Sequence, residues 1–182
     1  KHLNQLMRIL KHHNLSSFCK MKKFKLLVFI GRFQPFHMGH KDVVDRALSI
    51  SENVVLLVGS AGSPRTLRNP FTYQERISLI ADAYSAEDQA KLIFRPIFDK
   101  TYNDQAWISQ IQSIVDEEAL RIVNPTGGWT ALGLNDIKIG LIGHQKDNSS
   151  YYLKLFPQYE SVPVKSPSSF FRLRFITFNF AS

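Results

Sequence analysis

Phe24-Lys25-Leu26-Leu27-Val28-Phe29-Ile30-Gly31-Arg32-Phe33-Gln34-Pro35-Phe36-His37-Met38-Gly39-His40 runs from an apolar stretch into a loop bearing two glycines and two histidines. The apolar stretch, Phe24 to Ile30, reads as a buried strand, and Gly39 to Ile50 has the apolar spacing of a helix. The loop therefore joins a strand to a helix. His37 and His40 stand three apart at the helix start, so both imidazoles can face one side, beside backbone N–H groups that lack helical partners and attract anions. A polyphosphate suits that pocket. Gly31 and Gly39 would let the backbone approach phosphate closely, and Lys41 or Arg32 could add charge. Paired histidines also bind zinc, but no third Cys, His or acid lies nearby at a recognisable ligand spacing.

The same alternation continues outward. Asn53 to Val58 reads as a second strand and Thr72 to Tyr84 as a helix, with Thr72 and Glu75 at capping-box spacing. Leu92 to Ile97 is a third strand, Asp104 an N-cap for a helix through Ala119, and Ile137 to Ile142 a fourth strand ending in Gly143-His144. Ser149 to Phe156 reads as a short helix and Tyr159 to Val164 as a fifth extended segment, while Asn124 to Asn135 reads as a long loop. Strands alternating with helices imply an α/β fold with a parallel sheet and helices on both faces, whose ligand lies beyond the carboxyl ends of the strands. The informative loops fall there: Gly31 to His40, Gly59 to Pro70, Asp99 to Asp104 and Gly143 to Asn148.

Composition bounds the partners. The net charge of +8 sits at the ends: residues 1–25 hold seven Lys/Arg and residues 165–182 hold three, neither segment with an acid. The remainder carries 13 basic against 15 acidic residues, which disfavours a nucleic-acid-binding body. No apolar run approaches the roughly 18 residues that span a bilayer, so no membrane role is expected. One cysteine, Cys19, excludes an intramolecular disulfide and fits a reducing cytoplasm. The expected organisation is a disordered N-terminal extension over 1–20, one domain over 21–165 and an atypical tail over 166–182. An acid-free basic start also resembles a transit peptide, although arginine is scarce in it.

Gly31 to His40 resembles the G-R-F-Q-P-x-H-x-G-H signature of the HxGH nucleotidyltransferase superfamily, and specifically of its nicotinamide mononucleotide adenylyltransferases, found alone or fused to a Nudix hydrolase. Further blocks resemble that family in order: Gly59-Ser60-Ala61, Pro64-Arg65-Thr66, Arg68-Asn69-Pro70-Phe71 with Glu75-Arg76, Tyr102-Asn103-Asp104 with Trp107-Ile108, and Leu141-Ile142-Gly143-His144 with Lys146-Asp147 and Ser149 to Tyr152. The resemblance implies a Rossmann-like fold and transfer of AMP from ATP to nicotinamide mononucleotide, with Mg²⁺, without a covalent intermediate. It implies that His37, His40 and Arg32 are catalytic, and that Gly31, Phe33, Gln34, Gly39, Gly143, His144, Lys146, Asp147, Ser169 and Arg174 bind ATP. Arg68, Asp99, Asn103 and Trp107 would bind the acceptor. No metal ligand of the protein's own is expected, and the family often assembles, which leaves a homo-oligomer open.

Alternatives stay open at this level. Trp107 offers an aromatic face to a pyridinium, or packs in the core with Ile108, Ile111 and Ile114. Arg65 and Arg68 act on a ligand or lie solvated in a loop. Ser169 to Arg174 departs from the family's Ser-x-Thr-x-x-Arg block, with Phe171 in place of Thr, and the following run Phe175 to Phe180 is strongly aromatic. That departure leaves two rivals: an adenylyltransferase for another acceptor (nicotinic acid mononucleotide, phosphopantetheine or FMN), and a non-catalytic nucleotide-binding module.

Overall fold

The computed structural model describes residues 22–100, 102–125, 137–144 and 155–164. Five strands form one sheet in the order β3-β2-β1-β4-β5: β1 (Phe24–Gly31), β2 (Ser51–Val58), β3 (Leu92–Pro96), β4 (Ile139–His144) and β5 (Glu160–Val164). Every pairing is parallel. Between them lie α1 (Met38–Ile50), α2 (Tyr73–Ala81), the single turn α3 (Ala86–Gln89) and α4 (Asp104–Val123).

The continuous apolar run of β1 has a physical cause in two-sided burial. Leu27 and Phe29 pack into one core with Val43, Val44 and Ala47 of α1 and Ile80 of α2. Leu26 and Val28 face the other core, formed with Ile111, Val115 and Ala119 of α4 and with Phe156. Helices thus cover both faces, as the Rossmann-like reading requires. β1 is flanked by β2 on one side and β4 on the other, so the strand order reverses there and a crevice opens at the carboxyl ends.

Several boundaries differ from the sequence expectation. α2 ends at Ala81, where a turn closed by Tyr84 N–H on the Ala81 carbonyl (2.9 Å) leads into α3, capped by Ser85. The cap of α4 is Asn103, not Asp104: its side-chain oxygen accepts from Ala106 N–H at 2.9 Å. α4 also runs past Ala119 to Val123, because Ile122 still packs against the second core. β4 begins later than Ile137 and includes Gly143 and His144, since both pair with β5. The expected extension over 1–20, the tail over 166–182 and residues 126–136 lie outside the described residues, as do 149–154 of the expected short helix.

Candidate active site

The loop after β1 is held in shape by its own aromatic residues. Phe33 takes a positive φ of 51° and is buried at 1% exposure. A side chain on Gly31 would meet the Phe33 ring at 2.8 Å, so Gly31 is required by that ring's packing. Phe33 in turn meets the His40 ring edge-on with centroids 5.0 Å apart, and Phe36 stacks on His40 at 5.8 Å.

His37 is the N-cap of α1, where its Nδ1 accepts from Gly39 N–H at 3.1 Å. In the neutral ring the proton then sits on Nε2, a donor suited to an anionic oxygen. The His37 and His40 rings stack with centroids 3.8 Å apart. The first turn of α1 contains no acidic residue, so nothing on it neutralises the positive end of the helix dipole. Arg32, Phe33, Gln34, Pro35, His37 and His40 line an open cleft of about 260 Å³. The cleft combines three features that bind phosphate: paired imidazoles, an exposed arginine and an unneutralised helix start.

Lys41, expected to add charge there, points elsewhere: its Nζ pairs with both carboxylate oxygens of Asp45 (2.8 and 2.9 Å) and lies over the Tyr84 ring. Burial, with Asp45 nearby, pushes the Tyr84 hydroxyl well above its ordinary range. The end of β4 touches the start of α1. His144 Nε2 lies 2.8 Å from the Gly39 carbonyl and donates to it, while Gly143 is buried in the strand.

The four residues expected to bind the acceptor do not line that cleft. Asp99 is exposed after β3 and accepts from Ser63 Oγ at 3.4 Å. Asn103 uses its side-chain oxygen as the α4 cap. Trp107 is half-buried, 6.3 Å from the Phe156 ring, with part of its surface in the second core. Arg68 is exposed in the loop after β2 and makes no ion pair with any described residue. All four stand at the same carboxyl edge as the cleft. Lys146, Asp147, Ser169 and Arg174 lie outside the described residues.

Comparison with known proteins shows the family. The cytidylyltransferase-like family model matches residues 28–125. A nicotinamide/nicotinic acid mononucleotide adenylyltransferase of Acinetobacter baylyi is 44% identical over 146 residues, 80% of this chain and 70% of that protein. The chain belongs to this nucleotidyltransferase family, on its nicotinamide-nucleotide adenylyltransferase branch. Other relatives are matched over a smaller share of their length. A nicotinamide-nucleotide adenylyltransferase of Halorubrum lacusprofundi is 40% identical over 47% of this chain and 48% of its own. The solved bifunctional NMN adenylyltransferase/ADP ribose pyrophosphatase of Francisella tularensis, complexed with AMP and a manganese ion, has TM-score 0.65 and 29% identity, over 81% of this chain and 38% of that one.

Family membership directs attention to what the described residues can hold. They contain no group of three or more His, Cys, Asp or Glu side chains placed to cage a metal ion. No described helix is long and apolar enough to cross a membrane.

Sequence reasoning placed Arg76 in a family-like block with Glu75 but gave it no role. Arg76 sits on α2 and donates from a buried position to carbonyls of the loops after β1 and β2. The signal for it was a charged residue on the apolar face that Ile80 occupies one turn later.

Proposed function

We propose that this chain transfers AMP from ATP to nicotinamide mononucleotide, giving NAD and pyrophosphate. The acceptor phosphate oxygen attacks the α-phosphorus in line, the new O–P bond forms, and the bond from the α-phosphorus to the bridging oxygen breaks as pyrophosphate leaves. Catalysis of this kind rests on positioning and on stabilising charge. The observation that carries the reading is the stacked His37–His40 pair at the acid-free start of α1. His37 Nε2–H and His40 meet the polyphosphate, Arg32 offsets charge on the leaving pyrophosphate, and the helix start adds its dipole. ATP enters as its Mg²⁺ chelate. Gln34, Phe33, Gly31 and Gly39 shape the ATP side, Gly143 and His144 close it, and Arg68, Asp99, Asn103 and Trp107 take the acceptor.

The name of the Acinetobacter relative includes nicotinic acid, which supports nicotinic acid mononucleotide as a second acceptor. The test is pyrophosphate release from Mg-ATP with each acceptor, beside a His40→Ala variant. The expected result is acceptor-dependent release that the variant loses by roughly 10²–10³-fold. A folded, ATP-binding protein that releases none would establish the non-catalytic nucleotide-binding reading instead.

A further inference from the structure

Among the described residues, the largest fully buried side chain is Arg76, at 1% exposure. Its guanidinium reaches four carbonyl oxygens: Nη1 donates to Arg32 and to Gly59, both at 2.7 Å, Nη2 to Ser60 at 3.3 Å, and Nε to Thr72 at 3.2 Å. No described carboxylate pairs with it within ion-pair distance. Burial disfavours the charge and so does Arg32 nearby, while Tyr73 and Asp99 act in its favour. A cation kept in such a place must contribute something that an apolar residue of similar volume would not.

The carbonyls it joins identify that contribution. Arg32 belongs to the loop that carries His37 and His40, and Gly59 and Ser60 open the loop that carries Arg65 and Arg68. The last backbone bond between these segments runs from Gly59 N–H to the Gly31 carbonyl at 2.8 Å. Beyond that bond, Nη1 holds the Arg32 and Gly59 carbonyls to one atom and so extends the β1–β2 ladder past the sheet edge.

We propose that Arg76 is a positioning residue that sets the distance between the polyphosphate loop and the acceptor-side loop, and thereby the approach of the incoming phosphate to the α-phosphorus. The inference rests on the transfer reading above. The planar fork of arginine reaches several carbonyls at fixed angles, which the single ammonium of lysine cannot do.

Arg76→Lys and Arg76→Met test it, each followed by thermal melting, ATP affinity without acceptor, and acceptor-dependent pyrophosphate release. The expected result is folded variants whose ATP affinity stays within about threefold while kcat falls on the order of 10²-fold, the scale of a small misplacement of reacting groups. R76K adds a second signature. A buried ammonium loses its proton more readily, so the residual rate of R76K falls as pH rises in excess of the profile that the wild type and R76M share. Unchanged kcat would overturn the proposal, as would a rate loss matched by an equal loss of ATP affinity. Unfolded variants would also overturn it, by assigning Arg76 to fold stability alone. Wild-type protein that releases no pyrophosphate would remove the transfer reading and this inference with it. An active wild type with unaffected variants removes this inference only.

Discussion

Gln34 and Phe71 exchange two hydrogen bonds across 37 residues of chain: the Gln34 amide N–H donates to the Phe71 carbonyl at 2.8 Å, and Phe71 N–H donates to the Gln34 amide oxygen at 3.0 Å. The side chain copies a backbone pairing and ties the phosphate loop to the segment leading into α2. Gln34→Leu removes both bonds and leaves the Phe71 peptide short of partners. The expected cost is about 2 kcal/mol, at about 1 kcal/mol net for each bond. Thermal melting checks this beside ATP affinity. A large drop in affinity without a drop in melting temperature would instead make Gln34 a direct ATP ligand.

That pairing also marks what the sequence could and could not disclose. The signature Gly31 to His40 was legible because its meaning is local: a strand, a tight loop and a helix start follow from consecutive residues. The capping box at Thr72 and Glu75 was legible for the same reason. Gln34–Phe71 and Arg76–Arg32 join residues far apart in the chain, and nothing near Gln34 or Arg76 names the partner. The start of β4 was not legible, because pairing with β1, first made at Ile139, and not composition decides where the strand begins. Asn103 and Asp104 both suit an N-cap, and only the backbone geometry separates them.

The capping box gives a pH prediction. Thr72 N–H donates to Glu75 Oε2 at 2.8 Å, and Arg65 lies 2.5 Å from Oε1. The Thr72 backbone first, and then Arg65, hold the Glu75 carboxyl down at about 2, against an ordinary 4.5. A depressed carboxyl stabilises the fold above its unfolded value and loses that contribution as pH falls through its folded value. The wild type should therefore melt above Glu75→Gln at neutral pH, with the gap narrowing between pH 4.5 and about 2. A gap independent of pH would show that the charge contributes nothing. Thr72→Ala removes the cap and also the hydroxyl that donates to Glu75 Oε2 at 2.9 Å, and should cost roughly 1 kcal/mol at neutral pH.

Gly140 lies in β4 between two neighbours, opposite Leu27 in β1 and Glu160 in β5. An added Cβ would stand 2.7 Å from Leu27 Cδ2, 2.8 Å from Phe24 Cε1 and 3.0 Å from the Glu160 carbonyl oxygen. Leu27 and Phe24 are fully buried and have little room to move, and the carbonyl is backbone. Gly140→Ala should cost about 1–3 kcal/mol, the range for overpacking a tight core. For a chain of this size, that lowers the melting temperature by about 2–4 °C per kcal/mol. Activity per folded molecule should be retained, because Gly140 is three residues below the sheet edge at Gly143. Melting beside the specific rate at low temperature tests both halves.

Arg65 and Arg68 look alike in the sequence, but the structure gives them different work. Arg65 donates to the Pro70 carbonyl at 2.9 Å and pairs with Glu75, so its guanidinium is engaged in shaping its own loop. Arg68, three residues on, is exposed and makes no ion pair with any described residue, which leaves it available to an anion arriving at the carboxyl edge. Arg68→Ala should therefore raise the KM for nicotinamide mononucleotide by more than about tenfold, the loss of one charge-assisted contact of about 1.5–3 kcal/mol, with the melting temperature unchanged. Arg65→Ala should lower the melting temperature slightly and change the acceptor KM less, since its effect on the acceptor is only through the loop. Initial rates against acceptor concentration for the two variants decide the assignment. Equal KM effects would mean that the loop acts as a unit and that neither arginine is the acceptor's own contact.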